Sequence, residues 1–448
     1  EGRPFNHEQR ALVYRRAKDV SSVEPFGSLL DIDKPPYEWL AHSIAAKHTA
    51  GESPRVEVGA PGTAQPYSAS VFNISAMSFG SLGAHAIEAL STGAKMGGFY
   101  HDTGEGGVSP YHRVGGADLV WEIGSGYFGC RASDGTFDAA RFEEVAKDPQ
   151  IKMIEIKLSQ GAKPGHGGVL PGAKVTAEIA ATRGIPIGET CFSPPGHSAF
   201  STPIEMMEFV ARLRDISGGK PVGIKFCVGN RWEILALCKA MLETGIRTDF
   251  MVVDGGEGGT GAAPAEFLDH VGAPLRQGLV LTRNALIGTG LKDDVRLACS
   301  GKQTSAFALA SSMALGADWV NTARGFMFSL GCIQSLNCHN NSCPTGIATT
   351  DKGRQRGLVV ADKAERVYNF HRNTVKALME VVGAAGCEHP AELTPRHIMH
   401  RVTEDITLPA HRAYDLLEKN ALLDAPEDTQ LADEWAMAQA ASFRPLDI

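Results

Sequence analysis

Three thiols stand close together late in the chain: Cys332, Cys338 and Cys343, spaced C-x5-C-x4-C, with Pro344 following at once. Thiolates are soft ligands, and three in one loop suit a wrapped cluster of iron and sulfide, closed by a proline that has no N–H to place. Zinc is the rival, but a structural zinc takes four ligands, usually in paired short spacings. His339 is the available fourth, yet it adjoins Cys338, and its side chain is expected to point elsewhere. The bland alternative is three core cysteines that happen to be neighbours. Taken alone, the motif favours a three-iron cluster. The other six of the nine cysteines (Cys130, Cys191, Cys227, Cys238, Cys299 and Cys387) are scattered, as small buried residues in a reducing compartment would be.

A second constellation lies where apolar runs end in small, polar or charged residues. The ends are Ala76-Met77-Ser78-Phe79-Gly80-Ser81, Asp102-Thr103-Gly104-Glu105-Gly106-Gly107, Lys157-Leu158-Ser159-Gln160-Gly161, Lys225, Asp254–Gly261, Ser300-Gly301-Lys302 and Asn321-Thr322-Ala323-Arg324-Gly325. Ordinary turns need one or two glycines. So many glycine-bearing polar ends predict one shared pocket for a large, planar, anionic ligand. A lysine inside an apolar run, as in Ile154-Glu155-Ile156-Lys157-Leu158, is costly unless paired, so Lys157 and Lys225 read as working groups rather than surface lysines.

These ends need a scaffold that gathers them. The runs are Ser70–Phe79, Gly97–Thr103, Trp121–Gly129, Met153–Ser159, a weaker one at Ile187–Ser193, Gly223–Val228, Phe250–Asp254, Arg296–Ser300 and Trp319–Ala323. Helical patterns alternate with them, for example Ser81–Met96, Thr202–Ile216, Arg231–Thr244 and Gln303–Leu315. Strand–helix alternation implies a parallel sheet, and close to eight units favour an α/β fold of the (β/α)8 TIM-barrel kind, whose sites lie at the C-terminal strand ends. The division expected is an N-terminal extension at 1–65 with a short helix near Tyr37–His48, a barrel at 66–350 carrying the cysteine loop at 331–346, and a helical C-terminal segment at 351–448, amphipathic over Arg366–Val382. The histidines His197, His397 and His400 read as capping or surface residues, with His197 near enough to a strand end to line the pocket.

Composition sets outer bounds. The chain has 448 residues, a formal net charge of −8 and a pI near 6, with no basic stripe to neutralise phosphates, so no nucleic-acid partner is expected. No uninterrupted apolar stretch reaches the ~18 residues of a membrane span. The sequence opens at Glu1 with no initiator Met, which is compatible with an upstream segment.

Taken together and in order, Ala76–Ser81, Thr103–Gly107, Gln160-Gly161-Ala162-Lys163-Pro164-Gly165, Gly258-Gly259-Thr260-Gly261-Ala262 and the C-x5-C-x4-C loop resemble the FMN-binding synthase domain of the glutamate synthase large subunit. The chain is more similar still to the stand-alone glutamate-synthase-like proteins of bacteria. The resemblance is strong over Pro66–Thr350 and extends to flanks at Gly2–Arg16 and Lys352–Gly383.

The resemblance implies FMN in the barrel and a [3Fe–4S] cluster on Cys332, Cys338 and Cys343. By it, Ala76, Met77, Ser78 and Ser125 border the flavin ring, Lys225 helps hold it, Gly258 and Gly259 form a flavin loop, and Gly301 with Ala323 and Arg324 cradles the phosphate. It places Lys157, Gln160, Lys163 and Arg183 on the carboxylates of a 2-oxo acid, with Glu105 assisting ammonia attack or proton transfer. Lys157 and Lys163 are thus also catalytic candidates. Two positions depart from the family pattern: His166 stands for a usual acid and Val169 for a usual glutamine, which leaves the identity of the 2-oxo acid open.

A glutaminase domain, a terminal β-helix and a Rossmann G-x-G-x-x-G have no counterpart here. Ammonia or an amine would then come from solution or a partner, and electrons from a ferredoxin-like donor or partner subunit. The expected activity is reductive amination of 2-oxoglutarate to L-glutamate. An FMN-dependent secondary-amine or N-alkylglutamate-forming reaction is the alternative, and an electron-transfer subunit is a third. The expected location is cytoplasmic, with membrane association through an anchor upstream of Glu1 left open.

Overall fold

The structure, a computed structural model, describes residues 3–49 and 53–447. Glu1 and Gly2, where the resemblance begins, lie outside the described residues, as do 50–52 and Ile448. Eight strands close into a barrel: β1 Phe72–Ile74, β2 His101–Asp102, β3 Leu119–Ile123, β4 Ile151–Lys157, β5 Val222–Phe226, β6 Phe250–Asp254, β7 Arg296–Ser300 and β8 Trp319–Thr322. Every neighbouring pair is parallel, and β8 returns to β1 through Val320 opposite Phe72. Parallel neighbours require crossovers, and the helices that make them are marked in the sequence. Thr202 caps Pro203–Ile216 through a capping box with Glu205, and Asn230 precedes Arg231–Thr244. The α/β barrel is therefore the fold expected.

Two expectations fail locally. The run Ile187–Ser193 is not a barrel strand: only Cys191–Phe192 is extended, paired antiparallel with Val169–Leu170 in a separate two-stranded sheet. Pro186 and Gly188 break the run, and Ile187 and Phe192 are exposed, so it lacks the burial on both faces that a parallel strand needs. Nor is Tyr37–His48 helical. Glu38–Leu40 forms a strand against Ile398–Arg401, and that strand pairs in turn with Thr407–Pro409. The paired prolines Pro35 and Pro36 favour an extended entry, and an edge elsewhere in the chain takes up the backbone hydrogen bonds. The C-terminal region is thus a long helix, Val360–Ala384, followed by a small sheet and short helices. No helix among the described residues is long and apolar enough to cross a membrane.

The long helix packs beside Ala84–Gly97 and carries His371 into the core, its ring stacked 3.9 Å from Phe99 with Nε2 3.1 Å from the Ser70 hydroxyl. Burial pushes its pKa down to about 3, and that of His112 to about 4. Both rings are neutral in the native state but titrate near 6.5 when unfolded, so stability is full above that pH and falls as pH drops. Unfolding free energy should decline steeply between pH 6 and 4. His371→Gln should shallow that slope by about one proton, ~1.4 kcal/mol per pH unit. Denaturant titrations at four or five pH values would read it.

Candidate functional site

The strand ends open onto one cavity of about 1290 Å3, part of it continuous with solvent. Its walls come from separate strand ends: Ala76, Met77 and Ser78 after β1, Glu105 after β2, Lys157 and Gln160 at and after β4, Lys225 on β5, Gly258 and Gly259 after β6, Gly301 after β7, and Ala323 and Arg324 after β8. Lys163 and Arg183 reach the same space from the long β4–β5 connection. Ser125 does not face it. Its hydroxyl donates to the Pro194 carbonyl, and it lines a smaller adjoining recess with Glu105, Lys157, Gln160 and Lys163.

One wall concentrates positive charge. Lys157 Nζ lies 3.2 Å from Glu105 Oε2 and donates to Gln160 Oε1 at 2.7 Å. Arg183 is 4% exposed, its guanidinium 5.1 Å from the centroid of the Phe128 ring, and its Nε has no hydrogen-bond partner. Burial raises the Glu105 pKa, but Lys157, Arg183 and Lys163 together outweigh it and hold the carboxyl below its usual value. Desolvation, then Lys157, pull Lys163 down, with Glu105 opposing. Such a wall has cations to spare for a dicarboxylate.

The opposite wall is glycine-built. A Cβ on Gly259 would lie 2.4 Å from Arg324 Nε, and one on Gly161 only 1.7 Å from the Gly255 carbonyl oxygen. Arg324 donates to the Thr260 carbonyl at 2.6 Å, drawing the β6 and β8 loops together. Backbone N–H groups at these positions suit a phosphate. Asp254 fixes the loop from inside, accepting from Gly161 N–H at 2.7 Å and the Ser300 hydroxyl at 2.6 Å.

Beneath the cavity lies a group that sequence reading overlooked. Lys225 Nζ contacts Glu122 directly, Glu155 at 3.3 Å and Asp102 at 3.9 Å, all four side chains at most 3% exposed. Desolvation, then Glu122, push Asp102 up to about 7, and Glu155 is raised well above its ordinary value by burial and Asp102. Glu122 and Glu155 each interrupt an apolar run, the same signal that marked Lys157. They were visible but unread.

The cysteine loop forms the far rim. Cys338 and His339 line the cavity, whereas Cys332 and Cys343 lie behind it. Burial raises the Cys343 pKa, but the Thr345 hydroxyl and the N–H groups of Ala348, Thr345 and Ile347 outweigh it and lower the thiol. Three thiols in one loop, with backbone N–H donors around the Cys343 sulfur, are a donor set that an iron–sulfur cluster could use. The first helix, His7–Ala17, covers the loop: Tyr14 donates to the Cys332 carbonyl at 2.5 Å, and the Gln334 side chain binds Phe5 N–H and C=O at 3.1 Å each. Lys174, another residue missed, is buried against the same loop, its pKa brought down to about 8 by desolvation, against the pull of the Cys338 and Cys343 thiols.

His197 is not a wall of the main cavity. It sits between Tyr127 and Phe200 with Nε2 2.8 Å from the Lys157 carbonyl, bracing that lysine's backbone. His166 stacks edge-on to Phe267, and Val169 faces the cavity.

A family model described as the conserved region in glutamate synthase matches residues 56–388. The chain is 37% identical over 442 residues to the glutamate synthase large subunit-like protein YerD of Bacillus subtilis, covering 90% of this chain and 84% of that protein. It is 34% identical over 319 residues to the archaeal glutamate synthase [NADPH] of Methanocaldococcus jannaschii, covering 70% of this chain but 58% of that protein. Among solved structures, mandelate oxidase with (S)-4-hydroxymandelic acid superposes with a TM-score of 0.50 at 14% identity, over 87% of this chain and 97% of that one, a likeness of fold.

Proposed function

Since this chain belongs to the glutamate synthase family, we propose that it is an FMN- and [3Fe–4S]-dependent oxidoreductase that reductively aminates 2-oxoglutarate to L-glutamate. The observation that carries the reading is the meeting of two unlike walls in one cavity: glycine loops with Arg324 on one side, and Lys157, Lys163, Arg183 and Glu105 on the other. The first wall suits a flavin phosphate, with Gly258, Gly259, Gly301, Ala323 and Arg324 as its cradle and Ala76, Met77 and Ser78 along the ring. Bound there, FMN would supply a hydride to the carbon of the imine.

The rest is work for side chains. Arg183 and Lys163 hold the two carboxylates of the 2-oxo acid, and Gln160 fixes the direction of Lys157. Lys157 polarises the oxo oxygen and stabilises it as water leaves. Glu105, kept ionised by its neighbours, accepts a hydrogen bond from incoming ammonia and takes the proton that nitrogen sheds on attack. Two electrons and two protons complete the balance with one water released. We assign the electrons to a ferredoxin-like donor or partner subunit, entering through Cys332, Cys338 and Cys343.

Val169, Leu170 and Pro171 give the cavity an apolar side. That side favours a second reading, in which an alkylamine replaces ammonia and an N-alkylglutamate forms. Anaerobic protein reduced with dithionite and mixed with 2-oxoglutarate plus ammonia should show flavin reoxidation and release glutamate. Reoxidation with methylamine alone would select the second reading, and none with either would overturn both.

A further inference from the structure

Lys174 closes a short helical turn, Gly172–Lys174, between the strand Val169–Leu170 and the helix Ala177–Arg183. It is 3% exposed. Its ammonium donates to three carbonyl oxygens from two remote segments and a third: Cys338 at 2.8 Å, Ala348 at 3.1 Å and Ser81 at 3.2 Å. All three donors are spent on neutral acceptors. Among the described residues no carboxylate lies within ion-pair reach of it, whereas Lys225, equally buried, has three. An ammonium taken from water without an anion costs several kcal/mol. A fold that keeps one implies negative charge nearby, and the ammonium, at the margin of the cavity, is bound to the backbone of Cys338 in the very loop that carries the three thiols. Thiolates shared with sulfide and iron make a net anion, which gains one further negative charge on reduction.

We propose that Lys174 is the counter-ion of the group held by Cys332, Cys338 and Cys343, and that its fixed charge sets how readily that group accepts an electron. The inference rests on the iron–sulfur reading of the loop. Lys174 acts as a positioning residue: it touches the backbone of Cys338, not the iron. Through Ser81 it also ties the cysteine loop to the β1 strand end that borders the cavity, so charge and geometry are held by one side chain.

The test uses anaerobic full-length protein, with Lys174→Met and Lys174→Arg beside the parent. Iron and sulfide are assayed, bound flavin is quantified as a check on folding, and the cluster is titrated potentiometrically by electron paramagnetic resonance. Lys174→Met should retain flavin and accept the electron at least tenfold less favourably, a shift of about 59 mV to lower potential for one electron. Lys174→Arg should stay within twofold of the parent. Loss of the cluster in the methionine variant alone, with flavin retained, would equally support the counter-ion role. An unchanged potential in Lys174→Met, or equal loss in both variants, would overturn it. A parent protein that holds neither iron nor sulfide would instead overturn the cluster reading and this inference with it.

Discussion

Lys225→Met should destabilise the protein by about 3–5 kcal/mol, the range seen when one partner of a buried ion pair is removed. Among the described residues Lys225 is the one cation paired with Glu122, Glu155 and Asp102, and all four side chains are almost fully buried. Methionine keeps the length and apolar stem, so the loss isolates charge from packing. Without the ammonium, carboxylates that approach within 4.8 Å must take up protons to remain buried. Asp102 already titrates near 7 in the native state, against about 3.9 when unfolded. The folded state therefore binds more protons in that interval, and stability falls as pH rises through it. The variant's defect should be larger at pH 8 than at pH 5, and adding Glu122→Gln should recover part of it. Chemical denaturation of the four proteins of that cycle at both pH values would measure the coupling. A defect under 1 kcal/mol that is independent of pH would contradict the electrostatic account.

Arg183→Ala should weaken 2-oxoglutarate binding about thirtyfold or more, given that truncating one partner of a buried charged hydrogen-bonded pair costs about 2–5 kcal/mol. Its neighbours explain the size. Ser78 Oγ and the Phe79 carbonyl lie 3.4 and 3.5 Å from Nη2, at the limit of a hydrogen bond, so the end of the guanidinium beside the cavity has only weak partners to give up to a ligand. Arg183→Lys should restore charge but not the bidentate contact, and should recover only part of the affinity. Equilibrium titration of the oxidised protein with 2-oxoglutarate separates binding from turnover. Unchanged affinity in Arg183→Ala would remove the dicarboxylate from the assignment of this wall.

The barrel was legible because its strands carry near-continuous apolar runs ending in glycine and charge, a pattern that few other folds require. Lys157 was marked by its place in an apolar run and Gln160 by the strand end that follows it, whereas Lys163 and Arg183 entered only through the family resemblance. Nothing in local spacing says that Arg183, at the end of a helix in a loop excursion, turns back over β1. Asp102, Glu122 and Glu155 went unread for a different reason. Asp102 was read only as part of a polar strand end and Glu122 and Glu155 are lone acids in apolar strands, and only the closing of β2, β3, β4 and β5 side by side brings them to one lysine. Ile187–Ser193 misled because a short apolar run carries no information about whether its second face will be covered. Glu38–Leu40 misled because its partner, the middle strand of a three-stranded sheet, comes from some 360 residues later in the chain.

That last pairing bears on how the protein is made. Glu38 aligns with His400, and Arg276 joins Glu38 from the barrel side. The sheet can close only after Arg401 has left the ribosome, long after Glu38 has. At about 5–20 residues per second, an early segment spends tens of seconds with an unsatisfied strand edge. Closing so wide a loop adds little free-energy penalty, since that grows only with the logarithm of length, but it delays completion. The barrel and its glycine loops can therefore assemble first, while the strap that joins the two ends locks last. Synthesis in the cell would then pass through a stage in which the barrel is closed and its ends are still apart, the stage most open to chaperones and to proteases.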